Sequence, residues 1–168
     1  MKFSAIIILF HPEQHILLTN IRLLEQSGWQ VIIVDNSPQS HQHWLSSAVE
    51  FRHCPDNAGI ACAQNIGLLL AKQLGHDYAM LLDQDSHLTE QLLQTVQQRV
   101  VEAQSFYTNL AAYGPSIVSE FDGQVVRAKV QRAVPDEHGF LHSRQIIASG
   151  KVIPISVLAD IGLMEDAL

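Results

Sequence analysis

The sequence predicts an α/β fold, in which a mostly parallel sheet has helices on both faces. Two observations support this fold. Short apolar runs alternate with longer stretches of helical periodicity in the first half of the chain, and the runs are apolar throughout, as in parallel strands that are buried on both sides. A chain of 168 residues is long enough for one hydrophobic core, so we expect a single domain over residues 1–168.

Each element of the first half is predicted from its own segment. Residues 5–10 form an apolar run of strand length, and the apolar residues that follow recur at helical spacing until Gly28, a residue typical of helix ends. The remaining strands and helices are expected, in chain order, at residues 31–34, 49–52, 59–74, 78–82 and 90–101, of which 59–74 and 90–101 are helical. Right-handed crossovers then give a strand order of 3-2-1-4.

The second half of the chain predicts a more mixed structure. Extended or hairpin segments are expected at residues 110–113, 124–134 and 140–148, around the turn-forming residues Pro135, Asp136 and Gly139. This part resembles mixed sheet more than further strand and helix units.

Composition excludes several classes of function. The net charge is −7 with only 10 Lys and Arg residues, so the chain lacks the basic surface that binds nucleic acid. The apolar run near the N-terminus is too short for a membrane span or a signal peptide. Two cysteines without a disulfide framework fit the cytoplasm. The charged fraction of 16% is below the usual quarter or so and predicts an exposed apolar face through which the chain could form a homodimer.

Polar residues follow every predicted strand. They are His11, Pro12 and Glu13; Asp35, Asn36 and Ser37; Pro55, Asp56 and Asn57; and Asp83, Gln84, Asp85 and Ser86. Ligands of open α/β sheets bind beyond the carboxyl ends of the strands, so we expect these groups to converge at one edge.

The segment LLDQDS, residues 81–86, is the strongest motif. Asp83 and Asp85 provide two hard oxygen ligands directly after a buried strand, a pair suited to Mg²⁺ or Mn²⁺. Such an ion could hold a diphosphate as a leaving group. In the alternative interpretation, Asp85 or Ser86 only caps the next helix.

The segment DNAGIACAQNIG, residues 56–67, is the second motif. Gly59 allows a tight turn into a helix whose first amides could face a phosphate. Asn65 is polar where packing alone would favour an apolar residue. The alternative is a tightly packed helix in which this asparagine has internal partners.

Together these segments resemble bacterial inverting glycosyltransferases of the GT-A fold, particularly the rhamnosyltransferase type. The resemblance rests on LFHPE, VDNS, the glycine and alanine pattern ending in Asn65, LLDQDS and ASGKVIPISVLADIGLMED, in that order. It implies a GT-A, Rossmann-like sheet with a nucleotide-binding half at residues 1–101 and the start of an acceptor half at residues 102–168.

The resemblance also implies roles for particular residues. Those expected to bind the nucleotide are His11, Pro12, Asp35, Asn57, Gly59, Asn65 and Asp83. Asp85 would bind Mg²⁺ or Mn²⁺, and Ser149 and Gly150 would lie beside the donor sugar. Family members often have Tyr-Asn-Pro where this chain has Phe10-His11-Pro12.

The implied reaction transfers a sugar from a nucleotide-diphospho-sugar, dTDP-rhamnose by the resemblance, to a saccharide or lipid-linked saccharide with inversion. Polysaccharide or lipopolysaccharide synthesis, in the cytoplasm or at the inner membrane surface, is the expected setting. The family places its base after the helix that follows the GLM-D/E segment, so we expect it beyond Leu168 and expect this chain to be truncated and inactive alone. The alternative is a non-catalytic nucleotide-binding fragment or assembly module.

Other enzyme classes fit less well. A dinucleotide dehydrogenase would have GxGxxG where this chain has FHPEQH, and no GxxxxGK[ST] motif of a P-loop NTPase occurs. A nucleotidyltransferase that makes sugar nucleotides would have a glycine-rich loop with a basic residue after the first strand, which is also absent.

Overall fold

The computed structural model describes residues 1–116, 134–143 and 146–165. Its elements in chain order are β1 (Phe3–Leu9), α1 (Gln14–Gln26), β2 (Trp29–Asp35), β3 (Glu50–His53), α2 (Ile60–Gln73), β4 (Tyr78–Asp83), α3 (Glu90–Phe106), β5 (Lys151–Pro154) and α4 (Leu158–Ile161). Short 3₁₀ turns lie at Gln42–Trp44 and Ile155–Val157. The predicted α/β class is confirmed.

One five-stranded sheet has the order β3-β2-β1-β4-β5. The first four strands are parallel, so the predicted order of 3-2-1-4 is confirmed. The fifth strand pairs antiparallel with β4 and was not predicted. It is four residues long and ends in Pro154, so its segment alone gives a weak strand signal.

The sheet separates two apolar layers because successive side chains of a strand point to opposite faces. Phe3, Ala5, Ile7 and Leu9 of β1 pack in one layer with residues of α1 and α3. Ile6 and Ile8 pack in the other layer, which includes residues of α2. Every residue of β1 is buried, which explains why six of its seven residues are apolar; the polar one, Ser4, donates its hydroxyl to the Tyr78 carbonyl at 3.1 Å.

Helix α3 begins with a side-chain cap from Thr89, whose Oγ1 accepts a hydrogen bond of 3.1 Å from the Leu92 N–H. Neither Asp85 nor Ser86 caps this helix, so the alternative interpretation of the LLDQDS segment does not hold. The helix continues to Phe106, five residues past its predicted end at 101.

The second half follows the prediction only in part. At 110–113, where a strand was expected, an isolated antiparallel bridge between Tyr113 and Val152 occurs instead. The turn at Pro135–Gly139 is confirmed, since the Gly139 N–H donates to the Asp136 carbonyl at 3.0 Å. Of the predicted segments 124–134 and 140–148, residues 124–133, 144 and 145 lie outside the described residues, and the described remainder contains no strand.

In the described ranges, no helix has the length and apolar character needed to cross a membrane.

Candidate functional site

The candidate site lies at the carboxyl edge of the parallel strands. In the sheet register, Leu9 at the end of β1 is opposite Asp35 of β2, and its neighbour Ile8 is opposite Asp83 of β4. The ends of β2 and β4 therefore flank the end of β1. The polar loops that follow these strands meet at one edge of the sheet, as the sequence predicts.

An open cleft of about 350 Å³ lies at this edge. Its lining comes from the ends of β1, β2 and β4 and from the residues before and at the start of α2. The lining residues are Ile8, Phe10, Asn36, Asn57, Gly59, Ile60, Asp83 and Gln84. Three predicted site residues, Asn57, Gly59 and Asp83, are thus brought together in one cleft.

Asp35 has a different environment from these three residues. Its side chain is fully buried and holds the loop that follows β2. One carboxylate oxygen accepts the Ser37 N–H at 3.0 Å, and the other accepts the His41 N–H at 2.9 Å and contacts His41 Nδ1 at 3.0 Å. Burial raises the pKa of the Asp35 carboxyl, but the hydrogen bonds from His41 and Ser37 outweigh it and leave the pKa below its ordinary value. The carboxylate is therefore ionised and anchors residues 36–41.

Asn36 lines the cleft, whereas the adjacent Asp35 does not. It is only 3% exposed, and its Nδ2 donates to the Gly59 carbonyl at 3.2 Å. Its Oδ1 is buried and has no hydrogen-bond partner in the described part of the chain. A buried unpaired acceptor beside a cleft is available to a donor group of a ligand or to a water molecule. From the sequence, Asn36 and Asp35 both follow β2, and the nucleotide is expected at Asp35.

Phe10, His11 and Pro12 form the loop after β1. Phe10 lines the cleft and is 47% exposed, and its ring packs edge-on against the His11 ring with 4.4 Å between centroids. His11 is exposed, has a left-handed backbone with φ of 49°, and donates its N–H to Ser37 Oγ at 3.0 Å. Neither His11 nor Pro12 lines the cleft, so in this loop Phe10 is the residue that reaches it.

The approach to α2 is shaped by two residues with positive φ. Asn57 has φ of 52° and Gly59 has φ of 80°, a value that favours glycine. The Asn57 Oδ1 accepts the Gly59 N–H at 3.2 Å. This local bond shapes the turn, so that Asn57, Gly59 and Ile60 at the start of the helix line one side of the cleft.

Asp83 and Asp85 are both exposed. Neither carboxylate takes part in a hydrogen bond or ion pair with the described residues, since the Asp83 bonds involve only its main chain. Two free carboxylates offer the oxygen ligands that Mg²⁺ and Mn²⁺ prefer. The described residues contain no group of three or more acidic, histidine or cysteine side chains placed to hold a metal ion. Asp83 lines the cleft, whereas Asp85 is not among the lining residues.

Ser149 and Gly150 lie next to the loop that carries Asp83. Ser149 Oγ accepts the Asp83 N–H at 3.3 Å and is 3.1 Å from Ser86 Oγ. The Gly150 N–H donates to the Leu81 carbonyl at 2.8 Å. The segment before β5 is thus joined to the end of β4, and the structure places both predicted residues at the Asp83 loop.

Asn65 is separate from the residues that line the cleft. It is 5% exposed, and its side-chain amide exchanges two hydrogen bonds with the main chain of Met164, at 2.9 and 2.8 Å. Asn65 lies in α2, which packs on the sheet through one face. Its bonds to Met164 therefore hold the segment after α4 against α2.

The chain is similar to known proteins in sequence and in fold. Residues 5–151 match the sequence profile of glycosyl transferase family 2. A search of curated protein sequences finds no significant match. The fold is similar to a crystal structure of S. aureus TarS residues 1–349, with a TM-score of 0.65 and 16% identity over 100% of this chain and 51% of that chain.

A structure of the same TarS fragment in complex with UDP-GlcNAc gives a TM-score of 0.60 and 18% identity, over 95% of this chain and 47% of that chain. The chain therefore spans about half the length of the solved chains it matches. At these identities the likeness to TarS shows the GT-A fold alone. Because the family profile covers most of the sequence, from residue 5 to residue 151, the chain belongs to glycosyl transferase family 2.

Proposed function

We propose that this chain binds a nucleotide-diphospho-sugar in the cleft at the carboxyl edge of the sheet and provides the donor-binding part of a glycosyltransferase. The observation that carries the proposal is that one cleft is lined by the apolar residues Phe10 and Ile60, by Asn36 and by Asp83. The buried Asn36 Oδ1 and the Asp83 carboxylate have no hydrogen-bond partner among the described residues. Family membership and the UDP-GlcNAc complex of TarS support the same ligand class.

The apolar wall and Asn36 suit a nucleobase. Phe10 and Ile60 line the cleft and are 47% and 57% exposed, so a planar ring placed against them would bury apolar surface. Asn36 offers an acceptor to an N–H group of that ring, because its Nδ2 is already bonded to the Gly59 carbonyl. We assign the base to this part of the cleft.

The diphosphate is assigned to the side formed by Asp83, Asp85 and the start of α2. The first amides of a helix attract anions, and Gly59 and Ile60 bring that helix end to the cleft. Asp85, with Asp83, would hold a divalent ion, which when bound supplies positive charge to the diphosphate leaving group. Without such an ion, the two carboxylates would repel the phosphates.

For the reaction we propose a single displacement. An acceptor hydroxyl bonds to the anomeric carbon as the bond to the diphosphate breaks, a carboxylate takes the hydroxyl proton, and the anomeric configuration inverts. The proposed donor is dTDP-rhamnose, and the proposed acceptor is a saccharide or a lipid-linked saccharide in cytoplasmic polysaccharide or lipopolysaccharide synthesis. Ser149 and Gly150, adjacent to Asp83, are assigned to the donor sugar.

Calorimetry with UDP and dTDP tests donor binding. We expect Mn²⁺ or Mg²⁺ to increase affinity, and we expect Asp85→Asn to lower the metal-dependent affinity by at least about tenfold, roughly 1.4 kcal/mol. Asp160→Asn is the matched control, because it makes the same change at an exposed aspartate of α4. Equal binding by all three proteins, with and without metal, would reject the assignment.

Sugar transfer is tested with dTDP-rhamnose and UDP-sugars against saccharide acceptors, with the product anomer read by NMR. Transfer with inversion supports the full proposal. Tight nucleotide binding by the native chain without transfer to any acceptor would support the donor-binding role alone, and failure to bind any nucleotide would reject that role.

A further inference from the structure

Gln84 lies between Asp83 and Asp85, and its side chain is bound to a different part of the sheet edge. Its Oε1 accepts the Phe10 N–H at 2.8 Å, and its Nε2 donates to the Phe10 carbonyl at 3.0 Å. Phe10 is 74 residues away in sequence. The two bonds therefore join the Asp83–Asp85 loop to the loop that follows β1.

These bonds continue the sheet where its main-chain pairing stops. The register between β1 and β4 ends at Ile8 and Asp83. Beyond that point the Gln84 amide supplies one donor and one acceptor, as a neighbouring strand would. The main-chain groups of Phe10 thus remain paired although β1 itself ends at Leu9.

The loop that Gln84 holds includes the aromatic wall of the cleft. Phe10 is followed by His11, whose φ of 49° is unusual for a residue other than glycine. Ser37 holds His11 from the β2 side, and Gln84 holds Phe10 from the β4 side. Because both Phe10 and Gln84 line the cleft, the amide fixes the separation between the apolar wall and the acidic loop.

We propose that Gln84 is a positioning residue for the donor, setting the Phe10 ring and the Asp83–Asp85 carboxylates at the spacing that a nucleoside diphosphate needs. This inference rests on the proposed function. The Gln84 amide is hydrogen-bonded to the Phe10 main chain and does not contact the ligand directly. Its effect on binding comes from the positions of Phe10 and of the Asp83–Asp85 loop.

Two substitutions separate this role from simple packing. Gln84→Leu keeps a similar volume but removes both hydrogen bonds, and we expect metal-dependent affinity for UDP or dTDP to fall about fivefold to tenfold. Gln84→Glu at neutral pH keeps an acceptor for the Phe10 N–H but places a carboxylate oxygen against the Phe10 carbonyl, so we expect a similar loss.

A change of ligand separates positioning from packing. Uridine lacks the diphosphate and needs only the Phe10 side of the cleft, so we expect native protein and Gln84→Leu to bind it alike, whereas UDP with Mn²⁺ needs both groups at their set spacing. A packing role alone would weaken the binding of both ligands.

Hydrogen exchange without ligand provides a second test. The Phe10 amide should exchange faster in Gln84→Leu, while the Ile7 amide in the buried part of β1 should not change. Gln94→Leu is the control, because the Gln94 side chain bonds to Glu90 on the exposed side of α3.

If native protein binds no nucleotide, the proposed function fails and the positioning role fails with it. If native protein binds and Gln84→Leu binds equally, or if Phe10 exchange is unchanged, only the inference about Gln84 is overturned.

Discussion

Asn65 and Met164 exchange two hydrogen bonds across 99 residues of sequence. The Asn65 Nδ2 donates to the Met164 carbonyl at 2.9 Å, and the Met164 N–H donates to the Asn65 Oδ1 at 2.8 Å. A side chain in the middle of α2 thus serves as the pairing partner for the segment after α4. This contact joins the first half of the fold to its last described residues.

Replacing Asn65 with leucine should release that segment. The change keeps the branching of the side chain but replaces its amide by the larger methyl groups and leaves the Met164 N–H and carbonyl without these partners, so we expect the free energy of unfolding to fall by about 1–3 kcal/mol. The Met164 amide should exchange faster with solvent, as measured by NMR. Gln64→Leu, at the preceding and partly exposed position of the same helix, is the control. Unchanged exchange at Met164 would show that the contact does not hold the segment.

Asp35 should make stability depend on pH. The hydrogen bonds from His41 and Ser37 leave its folded pKa below its ordinary value, about 3.9 in an unfolded chain. Its contribution is therefore fully present well above pH 4 and is lost as the pH falls through the folded pKa. Asp35→Asn removes the charge, and we expect about 1–3 kcal/mol lower stability at pH 7.

The same variant should show a smaller loss of stability on acidification than native protein, in urea unfolding series between pH 7 and pH 3. Asp160→Asn, at an exposed site, should follow the native curve. If native protein and Asp35→Asn lost stability in parallel across this range, the carboxylate would not be the anchor of residues 36–41.

Gly67 is required by the packing of α2 on β1. A Cβ at this position would overlap the Cγ2 atom of Ile6, and Ile6 is fully buried in the sheet. Alanine normally stabilises a helix interior by about 1 kcal/mol relative to glycine. Here we expect Gly67→Ala to destabilise the protein by about 1–3 kcal/mol because of the overlap.

A double-mutant cycle tests that explanation. Ile6→Ala removes the overlapping atoms and is destabilising alone, but combining it with Gly67→Ala should cost less than the sum of the two changes. If the two changes in the free energy of unfolding were additive, the overlap with Ile6 would not be the cause of the destabilisation by Gly67→Ala.

The sequence predicted β1, β2 and β4 well because each is a mainly apolar and buried segment. The strand β3, Glu50–His53, has a weaker signal because it is short, mostly polar and only partly buried. Which of the predicted polar residues line the cleft is harder to read from the sequence, for two physical reasons. Asp35 and Asn36 are adjacent polar residues at a strand end, and which of them faces the cleft depends on the hydrogen bonds within residues 36–41. The partner of Asn65 lies 99 residues away, so no local pattern could identify it.

Asn36 should select for the base of the nucleotide. Its Nδ2 is bonded to the Gly59 carbonyl, which fixes the amide so that Oδ1, unpaired among the described residues, remains as an acceptor beside the cleft. Uracil and thymine have a donor at N3, whereas cytosine has an acceptor there. Cytosine N3 would therefore face the Asn36 Oδ1 without donating a hydrogen bond, and this buried oxygen would remain unsatisfied.

We therefore expect UDP and dTDP to bind about fivefold to tenfold more tightly than CDP, as measured by calorimetry with Mn²⁺. The diphosphate of 3-methyluridine, which has the same base without the N3 hydrogen, should bind as weakly as CDP. Asn36→Ala should reduce affinity for UDP and remove most of the preference over the methylated analogue, while leaving the metal dependence that we assign to Asp85. Equal affinities of native protein for UDP and its N3-methyl derivative would mean that Asn36 does not contact the base.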